Sequence, residues 1–378
     1  KGKQGLVCMG LLLVLSSCSC HTGKQITASG LQRKDFQTEV NGQHTDLFTL
    51  SNKQGMEVCI TNYGARVVSI LVPDRNGKRE DVVCGFSTIT EYMEQRQNFG
   101  STVGRYIGRI LNARFTLDGV EYKLVPNNGK SGHISHGGNP GFADRIWKVE
   151  QADTHRVRLS YLSPDGENGF PGNLKVTLVY SLGEDDNALD LTYEATTDAP
   201  TVLNLSHHSF FNISGNFTKS VEDQQLWVDA DRFTPYDDKK CVTGEYLPVA
   251  GTPLDFRMPH AIGECIDADH PQLKVVNGYD HTWELNTKGD DTRPAAWVYD
   301  PASGRKMEIF TTEPGMQIYT GNGLKGKMTG KGGIAYPFRS AVCFETMHFQ
   351  DSPNQPGFPS TVLRPGEVFR SHTVYKFE

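Results

Sequence analysis

The feature that most constrains this chain is its texture from Asp35 onward. Short runs alternate apolar and polar residues, and Gly, Asn, Asp or Pro interrupt them every few positions. A period of two is what a strand with one face in a core requires. Lys175-Val-Thr-Leu-Val-Tyr-Ser-Leu182 reads as such a strand. Gly183-Glu-Asp-Asp-Asn187 reads as a turn, and Ala188-Leu-Asp-Leu-Thr-Tyr-Glu-Ala195 as a second strand with Leu189, Leu191 and Tyr193 on one face. This predicts a hairpin. Ala296–Tyr299 and Lys306–Phe310 flank a turn at Asp300–Gly304 in the same way, and Arg145–Glu150 and Val157–Tyr161 add two more strands. Helical periodicity is confined to Ser87–Glu94, one short helix at best. With no linker, internal repeat or low-complexity tract, the pattern predicts an all-β protein, a large antiparallel β-sandwich forming one domain over 35–378.

The 378 residues exceed the usual size of one core, but β-sandwiches run long as single domains. Hydrophobic residues at 37% and charged residues at 22% are ordinary for a packed globular chain. Lys+Arg number 38 against 44 Asp+Glu, giving a net charge of −6. That balance argues against a nucleic-acid partner, which needs a basic surface, and against a strongly anionic substrate.

The first residues form a separate object. Lys1 and Lys3 precede the apolar run Leu6–Leu15, which is shorter than the ~20 residues that span a bilayer. Charged start and apolar centre match a secretion signal over 1–17. Leu15-Ser-Ser-Cys18 looks like a bacterial lipobox, with Cys18 as the lipidated residue and 18–34 as a tether; a plain signal peptide is the alternative. The expectation is an exported lipoprotein of the periplasm or cell envelope, touching a membrane only through that anchor. Five cysteines remain: Cys59, Cys84, Cys241, Cys265 and Cys343. They are scattered, odd in number and lack a CxxC pair, so neither a disulfide framework nor a zinc site is expected. Most are expected to be buried apolar residues on strands.

Four segments are denser in Gly and polar residues than a sheet needs. In Val103-Gly-Arg-Tyr-Ile-Gly-Arg-Ile110, Arg105 and Arg109 sit among small and apolar residues, where each needs a buried partner or a site to serve. In Gly132-His-Ile-Ser-His-Gly-Gly138, His133 reads as an ordinary loop residue, whereas His136 precedes two glycines that allow close approach to a ligand. In Asn204-Leu-Ser-His-His-Ser-Phe-Phe-Asn212, an extended backbone turns His207 and His208 to opposite faces, so only one serves a given site. Phe210 and Phe211 are expected to supply an apolar wall. Adjacent histidines lack metal-ligand spacing. Finally, Asp280 in Gly278-Tyr-Asp-His281 and Glu345 behind Ala341-Val-Cys-Phe344 are carboxylates on strand ends, either tied off in ion pairs or held partly desolvated for proton transfer.

Taken in order, these segments resemble the aldose 1-epimerase family over nearly the whole mature length. The likeness runs from Asn62-Tyr-Gly-Ala65 through Gly104-Arg105, Arg109-Ile110, His136-Gly-Gly138, Leu203–Asn212 and Gly251-Thr-Pro-Leu-Asp-Phe-Arg257. It continues in Tyr279-Asp-His281, Pro314-Gly-Met-Gln-Ile-Tyr-Thr-Gly-Asn322, Phe344-Glu345 and Leu363-Arg-Pro-Gly-Glu367. The resemblance implies a galactose mutarotase-like sandwich with a sugar cleft, and interconversion of the α and β anomers of free aldoses. It implies that Glu345 removes the anomeric hydroxyl proton, that His208 protonates the ring oxygen, and that Arg109, His136, Asp280 and Gln317 hold the sugar hydroxyls. Where the family has Asn before the second Arg, this chain has Gly108. His207 stands for Asn, Ser135 for Leu, and Met347 and Gln350 for Gln and Pro. These departures bear on substrate preference and leave the acid and base in place.

Opening the hemiacetal ring takes a proton off the C1 hydroxyl and puts one on the ring oxygen. A carboxylate and an imidazolium on opposite sides of the sugar do both, each such group contributing typically ~10²–10⁴-fold. No cofactor or metal is called for, in keeping with the absence of a P-loop or dinucleotide fingerprint in the sequence. The expected partner is a monosaccharide, and the expected assembly a monomer or weak dimer. Three rival readings are a glycoside hydrolase using Asp280 and Glu345 as its two carboxylates, a non-catalytic sugar-binding lipoprotein, and a hexose-phosphate epimerase, which needs an extra basic cluster that the sequence does not show.

Overall fold

The computed structural model describes residues 25–378; the apolar run and Cys18 lie outside the described residues. Nine antiparallel strands form the largest sheet, in the order Lys148–Ala152, Arg156–Ser163, Leu174–Leu182, Ala188–Thr197, Phe369–Phe377, Lys306–Thr311, Ala296–Tyr299, Gln225–Val228 and His260–Ala261. A six-stranded sheet runs Phe210–Phe211, Val342–Met347, Gly315–Tyr319, Asp280–Glu284, Arg232–Thr234 and Leu247–Pro248. A four-stranded sheet is built from Leu47–Ser51, Glu57–Thr61, Arg66–Pro73 and Arg79–Asp81.

The hairpin expected at 175–195 forms, with Leu182 opposite Leu189. Its inward residues Leu178, Tyr180, Leu189 and Leu191 pack with Trp283, Met316, Ile318 and Phe344 of the six-stranded sheet and Val58, Ile60, Val67 and Ile70 of the four-stranded one. All three sheets therefore share one apolar core, the arrangement that buries one face of each. The strands at 296–299 and 306–311 also pair as expected. The short helix is Ile89–Gln95, begun by Thr88 and Glu91 in a capping box. Among the described residues, no helix is long and apolar enough to cross a membrane.

Three expectations need correction. The strand placed at 145–150 begins only at Lys148, because Phe142–Asp144 form a 3-10 turn and the Trp147 amide donates to the Asn62 carbonyl at 2.8 Å. Residues 25–34, assigned to a tether, pack against the fold: Leu31 is buried, and the Ala28 amide donates to the Glu57 carboxylate at 2.7 Å. Of the five cysteines, Cys59 and Cys343 lie buried on strands, Cys84 is buried off the strands, and Cys241 and Cys265 are half-buried in loops.

Candidate active site

The pleat of the six-stranded sheet divides its residues between core and cleft. On Val342–Met347, Phe344 enters the core while Glu345 and Met347 line a cavity of about 240 Å³. On Gly315–Tyr319, Met316 and Ile318 point to the core, and Gln317 and Tyr319 to the cavity. The register then sets the carboxylate's neighbours. Gln317 lies directly across from Glu345 on one side and from Thr282 on the other, and Asp280 lies across from Tyr319. Thr282 Oγ1 donates to Gln317 Oε1 at 2.5 Å, and Gln317 Nε2 donates to Asp280 Oδ1 at 2.7 Å. The Gln317 amide is thereby fixed and Asp280 is turned into the cleft.

An adjoining wall comes from a short strand pair. Ser206–His208 pairs with Ser101–Val103, and the extended backbone sends the two histidines apart as expected. His207 faces the interior, with Nε2 and Ser209 Oγ 2.6 Å apart and Nδ1 3.4 Å from the Tyr180 hydroxyl. His208 faces the cavity. Its Nε2 lies 3.3 Å from Glu345 Oε1, with 8% and 4% of the two side chains exposed. Its Nδ1 lies 3.6 Å from Cys343 Sγ, and its ring stacks on Phe210 with centroids 5.0 Å apart.

Arg109 and His136 close the cleft from the pair Arg109–Ile110 and Ile134–Ser135. The His136 amide donates to the Gly108 carbonyl at 2.9 Å, and the Gly108 amide points back at His136 Nδ1, 3.4 Å away. Gly137 is required here: its φ is +78°, and a side chain would collide with the backbone of Gly104 and Arg105. His133 does not line the cavity; its Nδ1 accepts from the Asn112 amide at 2.9 Å and its Nε2 meets Cys241 Sγ at 3.2 Å. Arg105 also stays out of the cavity. Its guanidinium is buried and donates to the carbonyls of Ser163, Pro164, Pro171 and Gly172 and to the hydroxyls of Ser163 and Thr201. It is structural, but its contacts are neutral oxygens rather than an ion-pair partner.

All six residues singled out from the sequence, Glu345, His208, Arg109, His136, Asp280 and Gln317, thus line one cavity. The sequence reading did not assign site roles to Gln97, Asn98 or Tyr319, which line it as well. Of the expected apolar wall, the structure keeps Phe210 and turns Phe211 into the core. Among the departures from the family pattern, Gly108, Ser135, Met347 and Gln350 face the cavity, while His207 faces away.

Burial governs the electrostatics. It pushes the Glu345 carboxyl well above the usual carboxylate range, and the charge of Asp280 adds to this. It holds the His208 imidazole well below its usual value, with His136 contributing. Burial and then Arg109 bring His136 down to about 4, so this ring stays neutral at pH 7. Asp280 is raised by its burial, opposed by Arg109 and Gln317. The ligand atoms of His208, Cys343 and Glu345 lie within 4.8 Å of one another. The thiol and the carboxylate, however, meet opposite nitrogens of the imidazole, and burial keeps the Cys343 thiol protonated. This arrangement suits proton movement along the ring better than chelation, since one cation takes only one ring nitrogen.

The chain as a whole is similar to known proteins. The aldose 1-epimerase family model matches residues 46–376. The chain belongs to the aldose 1-epimerase family. Galactose mutarotase from Sus scrofa is 39% identical over 330 residues, covering 87% of this chain and 93% of that protein. Aldose 1-epimerase from Escherichia coli K12 is 36% identical over 339 residues, covering 89% and 96%. Among solved structures, the aldose epimerase homologue from C. elegans superposes with a TM-score of 0.81 at 31% identity over 88% of this chain and 99% of that one. Galactose 1-epimerase from Lactobacillus acidophilus gives 0.78 at 28% over 90% and 97%. The epimerase family and its galactose mutarotase-like fold therefore agree with the resemblance seen in the sequence.

Proposed function

We propose that this cleft interconverts the α and β anomers of free aldoses, with Glu345 as general base and His208 as general acid. The observation that carries the reading is the 3.3 Å approach of Glu345 Oε1 and His208 Nε2 inside a cavity whose walls otherwise carry hydroxyl-binding groups. Burial raises the carboxyl and lowers the imidazole, so each is pushed toward its neutral form and the two share one mobile proton as a unit. A bound hemiacetal relocates that proton without changing the count. The carboxylate takes the C1 hydroxyl proton, the imidazolium gives its own to the ring oxygen, and the C1–O5 bond opens to the aldehyde. Rotation about C1–C2 and the reverse transfers close the ring with the opposite configuration.

Arg109, His136, Asp280 and Gln317 are placed to bind the hydroxyls that do not react. Gln317 presents a fixed amide, and Asp280 accepts from it while keeping an oxygen toward the cleft. Phe210 and Tyr319 offer apolar surface to the sugar ring. The test is polarimetry on freshly dissolved α-glucose and α-galactose: the protein accelerates the decay of rotation toward equilibrium, and a protein that binds sugar without accelerating it contradicts the reading.

We also propose that the chain is exported and lipid-anchored through Cys18, on the strength of Lys1, Lys3, the apolar run Leu6–Leu15 and Leu15-Ser-Ser-Cys18. Labelling with a fatty-acid analogue in a bacterial host should mark the wild type and not Cys18→Ala; equal labelling of both contradicts the anchor.

A further inference from the structure

Gly108 and Gln350 are interlocked at the floor of the cleft. Gly108 adopts φ +75°, and a Cβ added there would lie 2.5 Å from Gln350 Cγ, with Cδ at 3.1 Å. The Gln350 side chain therefore occupies the space that a side chain at 108 would need. It is only 4% exposed, and both ends of its amide are engaged. Oε1 accepts from the Arg109 backbone amide at 3.2 Å. Nε2 donates to the Tyr236 hydroxyl at 2.7 Å and approaches Gln317 Oε1 at 3.4 Å. The Asp351 amide next to it donates to the Arg109 carbonyl at 2.8 Å, so Arg109 is held from both sides of its backbone by consecutive residues.

We infer that Gln350 is a positioning residue for sugar recognition, joining the segment that carries Arg109 to the sheet that carries Gln317, and that the absence of a side chain at Gly108 is what admits it. The inference rests on the reading of the cleft as an aldose site. The acid and base lie on other strands and receive no hydrogen bond from Gln350. Its loss therefore acts on how tightly and how selectively the sugar is held, through KM, more than on the proton transfers that set kcat. The pairing also works in reverse: a residue at 108 that tolerates a left-handed backbone must still displace Gln350 to fit.

The experiment measures anomer interconversion of glucose and galactose by wild type, Gln350→Met, Gly108→Asn and Gly108→Asn/Gln350→Ala, with melting temperature and near-ultraviolet circular dichroism to confirm folding. Gln350→Met keeps the length and bulk of the side chain but makes none of its hydrogen bonds. It should raise KM about tenfold, the usual scale for an unsatisfied buried partner, with a smaller change in kcat, an unmoved pH profile and an altered glucose-to-galactose ratio. Gly108→Asn should raise KM similarly, and removing Gln350 in the double variant should recover part of that loss. An unchanged KM and sugar ratio in Gln350→Met, or a double variant whose losses simply multiply, overturns the inference. Failure of the wild type itself to interconvert anomers overturns the underlying reaction instead, so the two failures are distinguishable.

Discussion

Glu345 Oε1 lies 3.3 Å from His208 Nε2, although the two residues stand 137 positions apart in the chain and on different sheets. Both are buried, both are shifted by burial toward their neutral forms, and among the described residues His208 makes its ion-pair contact with Glu345 alone. Such a pair titrates as a unit.

The pH dependence follows from that coupling. The active pair carries one proton. A raised Glu345 gives up that proton only at a pH well above the usual carboxylate range, and a lowered His208 takes a second only well below the usual imidazole value. The profile of kcat/KM should therefore be a broad plateau across neutral pH, falling at both ends. Asp280 helps raise Glu345; Asp280→Asn should move the alkaline limb to lower pH besides weakening sugar binding. Initial-rate polarimetry from pH 4 to 10 checks this. A narrow bell between the ordinary Glu and His values, about 4.3 and 6.5, contradicts it.

The two adjacent histidines should separate by phenotype. His207 is paired with Ser209 and Tyr180 in the interior, away from the cleft. His207→Gln should lower stability by about 1–3 kcal/mol, the cost of disturbing a buried hydrogen-bonded group, while leaving the rate per folded molecule within a few-fold of wild type. Urea unfolding alongside rate measurement distinguishes this from His208→Asn, in which the rate collapses.

Arg105 should prove a stability residue. Removing its guanidinium strands three buried carbonyl oxygens and a fourth that is partly buried. Arg105→Met should cost about 3–5 kcal/mol in chemical denaturation, the upper range for single substitutions. Any folded fraction should retain the wild-type pH profile, because the side chain does not reach the cavity.

How far the sequence revealed all this varies with the physics involved. The hairpin at 174–197 and the strand pair at 296–311 were legible because one face of each is buried, which enforces period two. The opposite orientations of His207 and His208 followed from the same pleat. Assembly of the cleft was not legible from periodicity: Arg109, His208, Asp280 and Glu345 meet only through long-range pairing, and the ordered motifs of the family resemblance were what linked them. Arg105 called for a buried partner, but a cage of backbone carbonyls leaves no mark in the sequence. Gln350 registered only as a departure from a family pattern, since its role depends on the space above Gly108. The strand at 145–150 was placed too early because Trp147 spends its amide on Asn62.

Away from the cleft, His372 sits between Asp190 and Asp291, each 2.6 Å from a ring nitrogen, and Asp190 first, then Asp291, raise it to about 9. An unfolded His titrates near 6.5. A raised folded value means that the stabilisation is fully present below about 6.5 and is lost as pH climbs through about 9. His372→Gln should therefore lower the melting temperature by a few degrees at pH 6 and leave it unchanged near pH 10; equal effects at both values contradict the assignment.

The most direct test of the central claim is the rate of α-to-β galactose conversion by wild type, Glu345→Gln and His208→Asn, each verified as folded and able to bind sugar. Loss of one positioned acid or base should slow each variant by roughly 10²–10⁴-fold. Rates within a few-fold of wild type in both would show that this carboxylate and imidazole do not carry the reaction.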